Sequence, residues 1–284
     1  MSETRTLRQG QQVAEREVDR PFTNVLCALD GSRRSFAAVD QAALLVGSQG
    51  HLTLLAVAAV SGTGAFRNAA ISPPRAEHLL ERAAEIAKHR DVATSTILEP
   101  KGPVPQAILE RVDGHDLLAI GAPAASWLGE RLIESVGLSK LGTLPKPLLA
   151  CREHAGGAAF AERVLIASDG LDDSEELVRL AGRLARGSVV LLYATDVESD
   201  ERSQRIEEQG RMLEARIGHA LEVRIEIGDA ADAIVQAGHE SDASLIVMGS
   251  RRRTGLKAIG SVSRHVVHSA NCSVLLVAPS HPQR

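Results

Sequence analysis

Gly249, a loop carrying Arg251, Arg252 and Arg253, and the run Gly260-Ser261-Val262-Ser263 stand between two apolar stretches near the end of the 284-residue chain. Glycine lets backbone approach a ligand closely and takes φ > 0 at little cost. Hydroxyls and free N–H groups at a helix start suit an anion, and the arginines add positive charge. The chemistry these residues fit is polyphosphate binding. Asp169 closes another apolar run. A carboxylate there can accept hydrogen bonds from a ribose or an adenine amino group. Ala167 and Ala194 leave room beside it for a flat base. The same residues also read as ordinary fold chemistry. Asp-Gly after a strand is common turn chemistry, Ser261 can be a helix N-cap, and an arginine run usually lies on a solvated loop.

The elements that must position these groups follow from periodicity. Short apolar runs at 23–29, 51–60, 92–98, 116–120 and 147–151 read as strands. Helical spacing over 35–46, 75–88, 104–112 and 128–141 separates them. The pattern restarts with strands at 163–168, 188–194, 221–227, 245–248 and 273–278. Helices are predicted at 174–185, 200–217, 230–238 and 262–269. Strands alternating with helices imply right-handed crossovers and a parallel sheet covered on both faces. The halves repeat in detail: VLCALDGS answers VLIASDGL, and LLAIGAP answers LIVMGSR. The predicted architecture is two tandem doubly wound α/β domains, each a five-stranded parallel sheet with helices on both faces, Rossmann-like. The expected division is a disordered tail at 1–21, a first domain at 22–153, a linker at 154–161 and a second domain at 162–284.

Composition narrows the function. With 2% aromatic residues, a base-stacking nucleic-acid surface is not expected. A formal net charge of −4 argues against bulk attraction to DNA or anionic membrane. Cys27, Cys151 and Cys272 lie in or beside apolar runs without metal-type spacing, as buried small hydrophobes would. The polar N-terminal tail lacks the apolar core of a signal peptide, and no segment is long and apolar enough to span a membrane, so a cytoplasmic location is expected. His265 and His268 share one helix face, but no third ligand completes a metal site. Trp127, the lone tryptophan, follows Gly121 and is read as a cover for apolar surface.

Four pieces of the second half resemble the universal stress protein family. They are Val164-Leu-Ile-Ala-Ser-Asp169-Gly170, Gly228-Asp229 with Ala233-Ile234, Leu245-Ile-Val-Met-Gly249-Ser-Arg251, and Gly260-Ser261-Val262-Ser263 followed by the last strand. ATP-binding members carry G-x2-G-x9-G-[S/T]. The resemblance implies that Asp169 and Ala194 face the adenosine, with Ala167 and Ser168 alongside. It implies that Met248, Gly249, Arg251 and Arg252 border the phosphates with Gly260, Ser261, Val262 and Ser263. Arg252 stands where the second motif glycine would be, and seven residues rather than nine separate it from Gly260. Two outcomes stay open: Arg252 replaces lost N–H contacts with a charge-assisted one, or the shorter loop narrows the pocket. In the first half, Asp30, Gly31 and Gly121 match, but Ala124 and Glu134 replace the second and third glycines. A carboxylate beside a phosphate site repels polyphosphate, so this half is expected to bind ATP poorly and to serve as a structural partner.

The expectation is therefore a stress-response protein binding ATP, with Mg2+ as a possible companion, in its C-terminal half. No residue is placed to activate water, so hydrolysis should be absent or very slow. Action would run through a nucleotide-sensitive surface toward a protein partner. The alternative is an interaction module that has lost ATP or holds another small ligand. The resemblance further implies that the last strands of the halves pair as an intrachain pseudo-dimer, and that chains form a homodimer.

Overall fold

In this computed structural model the described residues are 20–58, 71–100, 104–122, 146–153, 159–169, 174–195, 200–217, 221–250 and 261–277. The expected tail up to residue 19, the helix expected at 128–141, Trp127 and linker residues 154–158 lie outside them.

The first half runs β1 (Asn24–Leu29), α1 (Arg33–Val46), β2 (His51–Val57), α2 (Pro73–Lys88), β3 (Ala93–Glu99), α3 (Val104–Val112), β4 (Leu117–Gly121) and β5 (Leu148–Cys151). The second runs β6 (Arg163–Ser168), α4 (Ser174–Leu184), β7 (Ser188–Thr195), α5 (Asp200–Ile217), β8 (Leu221–Ile227), α6 (Ala230–Glu240), β9 (Leu245–Gly249), α7 (Ser261–Ser269) and β10 (Ser273–Val277). Central strands such as β4, LLAIG, are nearly continuous apolar runs because helices bury both their faces. Helix starts are set by local caps. Ser32 accepts from the Ser35 N–H at α1, and Asp229 accepts from the N–H groups of Ala231 and Asp232 at α6.

The ten strands form one sheet in the order β3-β2-β1-β4-β5-β10-β9-β6-β7-β8. Every neighbouring pair is parallel except β5 and β10, which run antiparallel with Leu149 opposite Leu275. The last strands of the halves thus cover each other within one chain, as expected, and β3 and β8 become the outer edges. The antiparallel join also points the carboxyl ends of the two parallel sets toward opposite ends of the sheet.

Alternate strand residues feed two cores. One face packs Val25, Cys27, Ile166 and Leu275 against Val39, Leu79, Leu177 and Ile206, from α1, α2, α4 and α5. The other packs Leu26, Leu165, Ile246 and Leu276 against Ile108, Ile234 and Val266, from α3, α6 and α7. Both cores draw on both halves, so the apolar interior continues through the join.

Candidate functional site

Winding reverses between β1 and β4 in the first half and between β6 and β9 in the second. In open α/β sheets ligands sit beyond the carboxyl ends of strands at such points. In the second half, Ala167 lies opposite Met248 across the β6–β9 pair. That pairing sets Asp169, half-buried and next in chain after β6, close to Gly249, the last residue of β9. Ala194, half-buried, is one residue from the end of β7.

Helix α7 starts at the same place. Ser261 is exposed at its first position, Val262 is half-buried and Ser263 is buried. The Ser263 hydroxyl donates to the Gly249 carbonyl at 3.1 Å, docking the helix start on the end of β9. Ala167 and Val262 both pack against the core on the α6 and α7 side. Ser250 secures the chain as it leaves β9. Its N–H and its hydroxyl donate to the Val277 carbonyl at 2.9 and 3.2 Å. Carboxylate, small residues and helix start thus converge, which is a setting for an anionic ligand with a flat ring.

Ser168 is placed differently. It points to the opposite face, where its hydroxyl donates to Gln209 Oε1 on α5 at 2.9 Å, both side chains being buried. Tyr193 is on the same face, opposite Ser168 in the β6–β7 pair, and its buried hydroxyl has no hydrogen-bond partner among the described residues. Arg251, Arg252 and Gly260 lie outside the described residues, as do Gly170, Ala124 and Glu134. His265 forms an exposed contact with Asp232 Oδ1 at 3.4 Å, and the described residues contain no group of three or more side chains able to hold a metal.

The far end of α7 is held by the first half. Arg152, one residue past β5, donates through Nη2 to the Val267 and His268 carbonyls, both at 2.8 Å. These are last-turn carbonyls without helical partners, and a cation there also opposes the negative end of the helix dipole. Burial lowers the pKa of the Arg152 guanidinium, and repulsion from Arg34 lowers it further, while Cys272 acts in the opposite sense. The Arg152 backbone closes a second link between the halves. Its N–H donates to Ser273 Oγ at 2.9 Å, that hydroxyl donates to Gln41 Oε1 at 2.7 Å, and Gln41 Nε2 donates to the Arg152 carbonyl at 2.8 Å. Nothing in the sequence pattern marks Arg152 or Gln41. An arginine after a strand and a glutamine inside a helix are both commonplace.

In the first half the chain turns tightly from β1 into α1, and α1 packs closely on the end of β4. Asp30 Oδ1 accepts from the Ser32 N–H at 2.9 Å, and Gly31 takes φ +81°, folding the chain sharply into α1. The first turn of α1 then packs on the end of β4. A Cβ at Gly121 would stand 2.8 Å from the Ser35 nitrogen and 2.9 Å from the Arg34 carbonyl carbon. Arg34 Nη1 donates across to the Ala122 carbonyl at 3.3 Å.

A duplicated, doubly wound α/β protein with a switch point in each half is the class this geometry defines. The chain belongs to the universal stress protein family, whose model matches residues 21–152 and 161–278. A universal stress protein of Methanocaldococcus jannaschii is 28% identical over 143 residues, covering 43% of this chain and 84% of that protein. The crystal structure of a universal stress protein from Archaeoglobus fulgidus superposes with a TM-score of 0.73 at 20% identity, covering 90% of this chain and 96% of that one. A putative universal stress protein from Pseudomonas aeruginosa gives a TM-score of 0.62 at 20% identity, covering 91% and 94%. At these identities the two structures establish the shared fold. No helix among the described residues is long and apolar enough to cross a membrane.

Proposed function

We propose that the chain is a stress-response protein that binds ATP in the crevice of its C-terminal half. Membership of the universal stress protein family supports the reading in general. The observation that carries it is the docking of the α7 start on the end of β9 through Ser263 and Gly249, beside Asp169 at the switch point. Helix N–H groups there donate to a phosphate, and the half-buried Ala167 and Ala194 border room for the adenosine. Asp169 receives the ribose hydroxyls or the adenine amino group. Arg251, Arg252 and Gly260, outside the described residues, complete the phosphate side in this reading. Mg2+, if used, comes in with the nucleotide rather than from a protein cage.

The protein acts by holding nucleotide, with hydrolysis absent or very slow. Occupancy changes the surface it offers to a protein partner. The first half is a structural partner in this reading, because Glu134 stands where a motif glycine would be and a carboxylate there repels polyphosphate.

Isothermal titration of the whole chain with ATP, with and without Mg2+, tests the reading. Saturable heat with one site per chain is expected. No heat and no thermal shift at millimolar ATP overturn it and favour an interaction module without nucleotide. Ser261→Glu separates site from fold. A carboxylate in the first turn of α7 favours the helix dipole and leaves stability equal or slightly higher. The same charge repels polyphosphate, and ATP affinity should fall at least tenfold. Unchanged affinity would place the nucleotide elsewhere.

A further inference from the structure

Every exposed large hydrophobic side chain among the described residues gathers at one edge of the sheet. Val223, Ile225 and Ile227 on β8 are 38, 40 and 64% exposed, and Met212 on the covering helix α5 is 43% exposed. β8 is the last strand of the sheet and pairs only with β7 among the described strands, so its outer row of backbone groups faces no strand there. The opposite edge is built otherwise. β3 carries Thr94, Ser95 and Thr96 in its middle, and its Ile97 and Leu98 pack against the two cores. An open edge with alternating apolar side chains is a surface for adding another strand.

The two faces of β8 are distinct. Gly210 of α5 comes so close that a Cβ there would lie 2.7 Å from Val223 Cγ2, so Val223, Ile225 and Ile227 belong to the α5 face. Glu222, Arg224 and Glu226 take the other face, where Arg224 Nη1 reaches Glu240 of α6 at 3.3 Å and Arg224 Nε reaches Glu222 at 2.6 Å.

We infer that β8 is the docking strand for a second copy of this chain, added antiparallel about a two-fold axis at Ile225. The charge order selects this partner and this register. A two-fold at Ile225 sets Ile225 against its own copy, Val223 against Ile227, and Arg224 against Glu226. Each opposed pair shares a face, so the apolar residues meet one another and opposite charges meet twice. A two-fold one residue earlier sets Arg224 against Arg224 and Glu222 against Glu226, which opposes like charges throughout. A two-fold at Val223 pairs Arg224 with Glu222 but carries Ile227 beyond the paired stretch. Of these three registers, only the one at Ile225 both pairs all three exposed apolar side chains within β8 and opposes unlike charges. It joins two ten-stranded sheets into one continuous sheet and assigns a face to the homodimer. The inference does not depend on nucleotide binding.

Sedimentation velocity of the full chain over a concentration series tests it, with circular dichroism confirming the fold of each variant. The wild type should reach dimer mass, and Ile225→Lys should weaken dimerisation at least tenfold. Arg224→Glu alone and Glu226→Arg alone should each weaken it, because each opposes like charges across the axis. Mixing those two single variants should restore a dimer, since every opposed pair in the mixed species then carries opposite signs. Restoration in the mixture is specific to contact between copies. A wild type that stays monomeric overturns the proposal, and so does a dimer that survives Ile225→Lys. Failure of the mixture to pair overturns the register.

Discussion

The two switch points start from the same pattern, an apolar strand closing in Asp-Gly, and their described contacts differ. At Asp30 the chain folds back so tightly that the first turn of α1 rests on Gly121, and Arg34 spans the remaining gap to Ala122. At Gly249 a hypothetical Cβ would be in ordinary contact, 3.8 Å, with Leu177 Cδ1 among the described residues, and the carbonyl takes the Ser263 hydroxyl. One glycine is needed for packing of the protein on itself. The other holds a helix start in place. The same motif glycine therefore serves close packing of α1 on the strand in one half and holds a helix start in the other.

The sharpest way to break this comparison is a matched pair of substitutions. Gly121→Ala drives a methyl into backbone of α1, and a loss of about 3 kcal/mol is expected in urea unfolding. Gly249→Ala should cost less than about 1 kcal/mol, and equal losses would erase the distinction. Next in size is Arg152→Met, which keeps the backbone links to Ser273 and Gln41 but strips the cap from α7. About 2 kcal/mol should be lost. Amide exchange should quicken in the last turn of α7 and leave the first half unchanged.

Alkaline pH offers a third probe. Burial pushes the Cys27 and Cys272 thiols up to about 12 from 9.0, and raises Cys151 as well, with Cys27 adding to the effect. Above pH 9 the unfolded chain releases these protons while the folded chain keeps them. The stability they contribute is complete below pH 9 and is lost as pH rises toward 12. The slope is about 1.4 kcal/mol per pH unit for each thiol. Two of the three belong to the first half, so where the halves melt separately the first should fall about twice as steeply. Comparing the profile with that of Cys27→Ala isolates one thiol. Ser263→Ala should cost about 1 kcal/mol through the lost bond to Gly249, with ATP affinity falling alongside in the proposed reading.

Much of the fold was legible because its signals are local. The bounds of β6, α5 and β8 coincide with their apolar runs and helical spacing, and Gly121 and Gly249 close their strands by one residue more than periodicity alone suggests. Pairing of β5 with β10 was also foreseeable, since two apolar edges in one chain can cover each other. The links between the halves were not. Gln41 and Ser273 are far apart in sequence, and Arg152 reaches α7 only once both sheets are joined. Ser168 stands beside Asp169 in sequence, and the resemblance places it alongside the adenosine, yet strand alternation turns it toward Gln209. The exposed row on β8 was hidden for a related reason. Its alternation reads as a half-buried strand wherever it stands, and only the strand order puts it at an edge.

The antiparallel union of β5 and β10 has a consequence for concentration. Separate chains meeting through those strands would pair by a bimolecular step and come apart on dilution. Carried on one chain, the pairing becomes intramolecular, with each half seeing its mate at an effective concentration of about millimolar or higher however dilute the protein is. The union is also freed from symmetry. A substitution at the seam appears once rather than twice, so Arg152 can serve one helix without a counterpart having to serve the other.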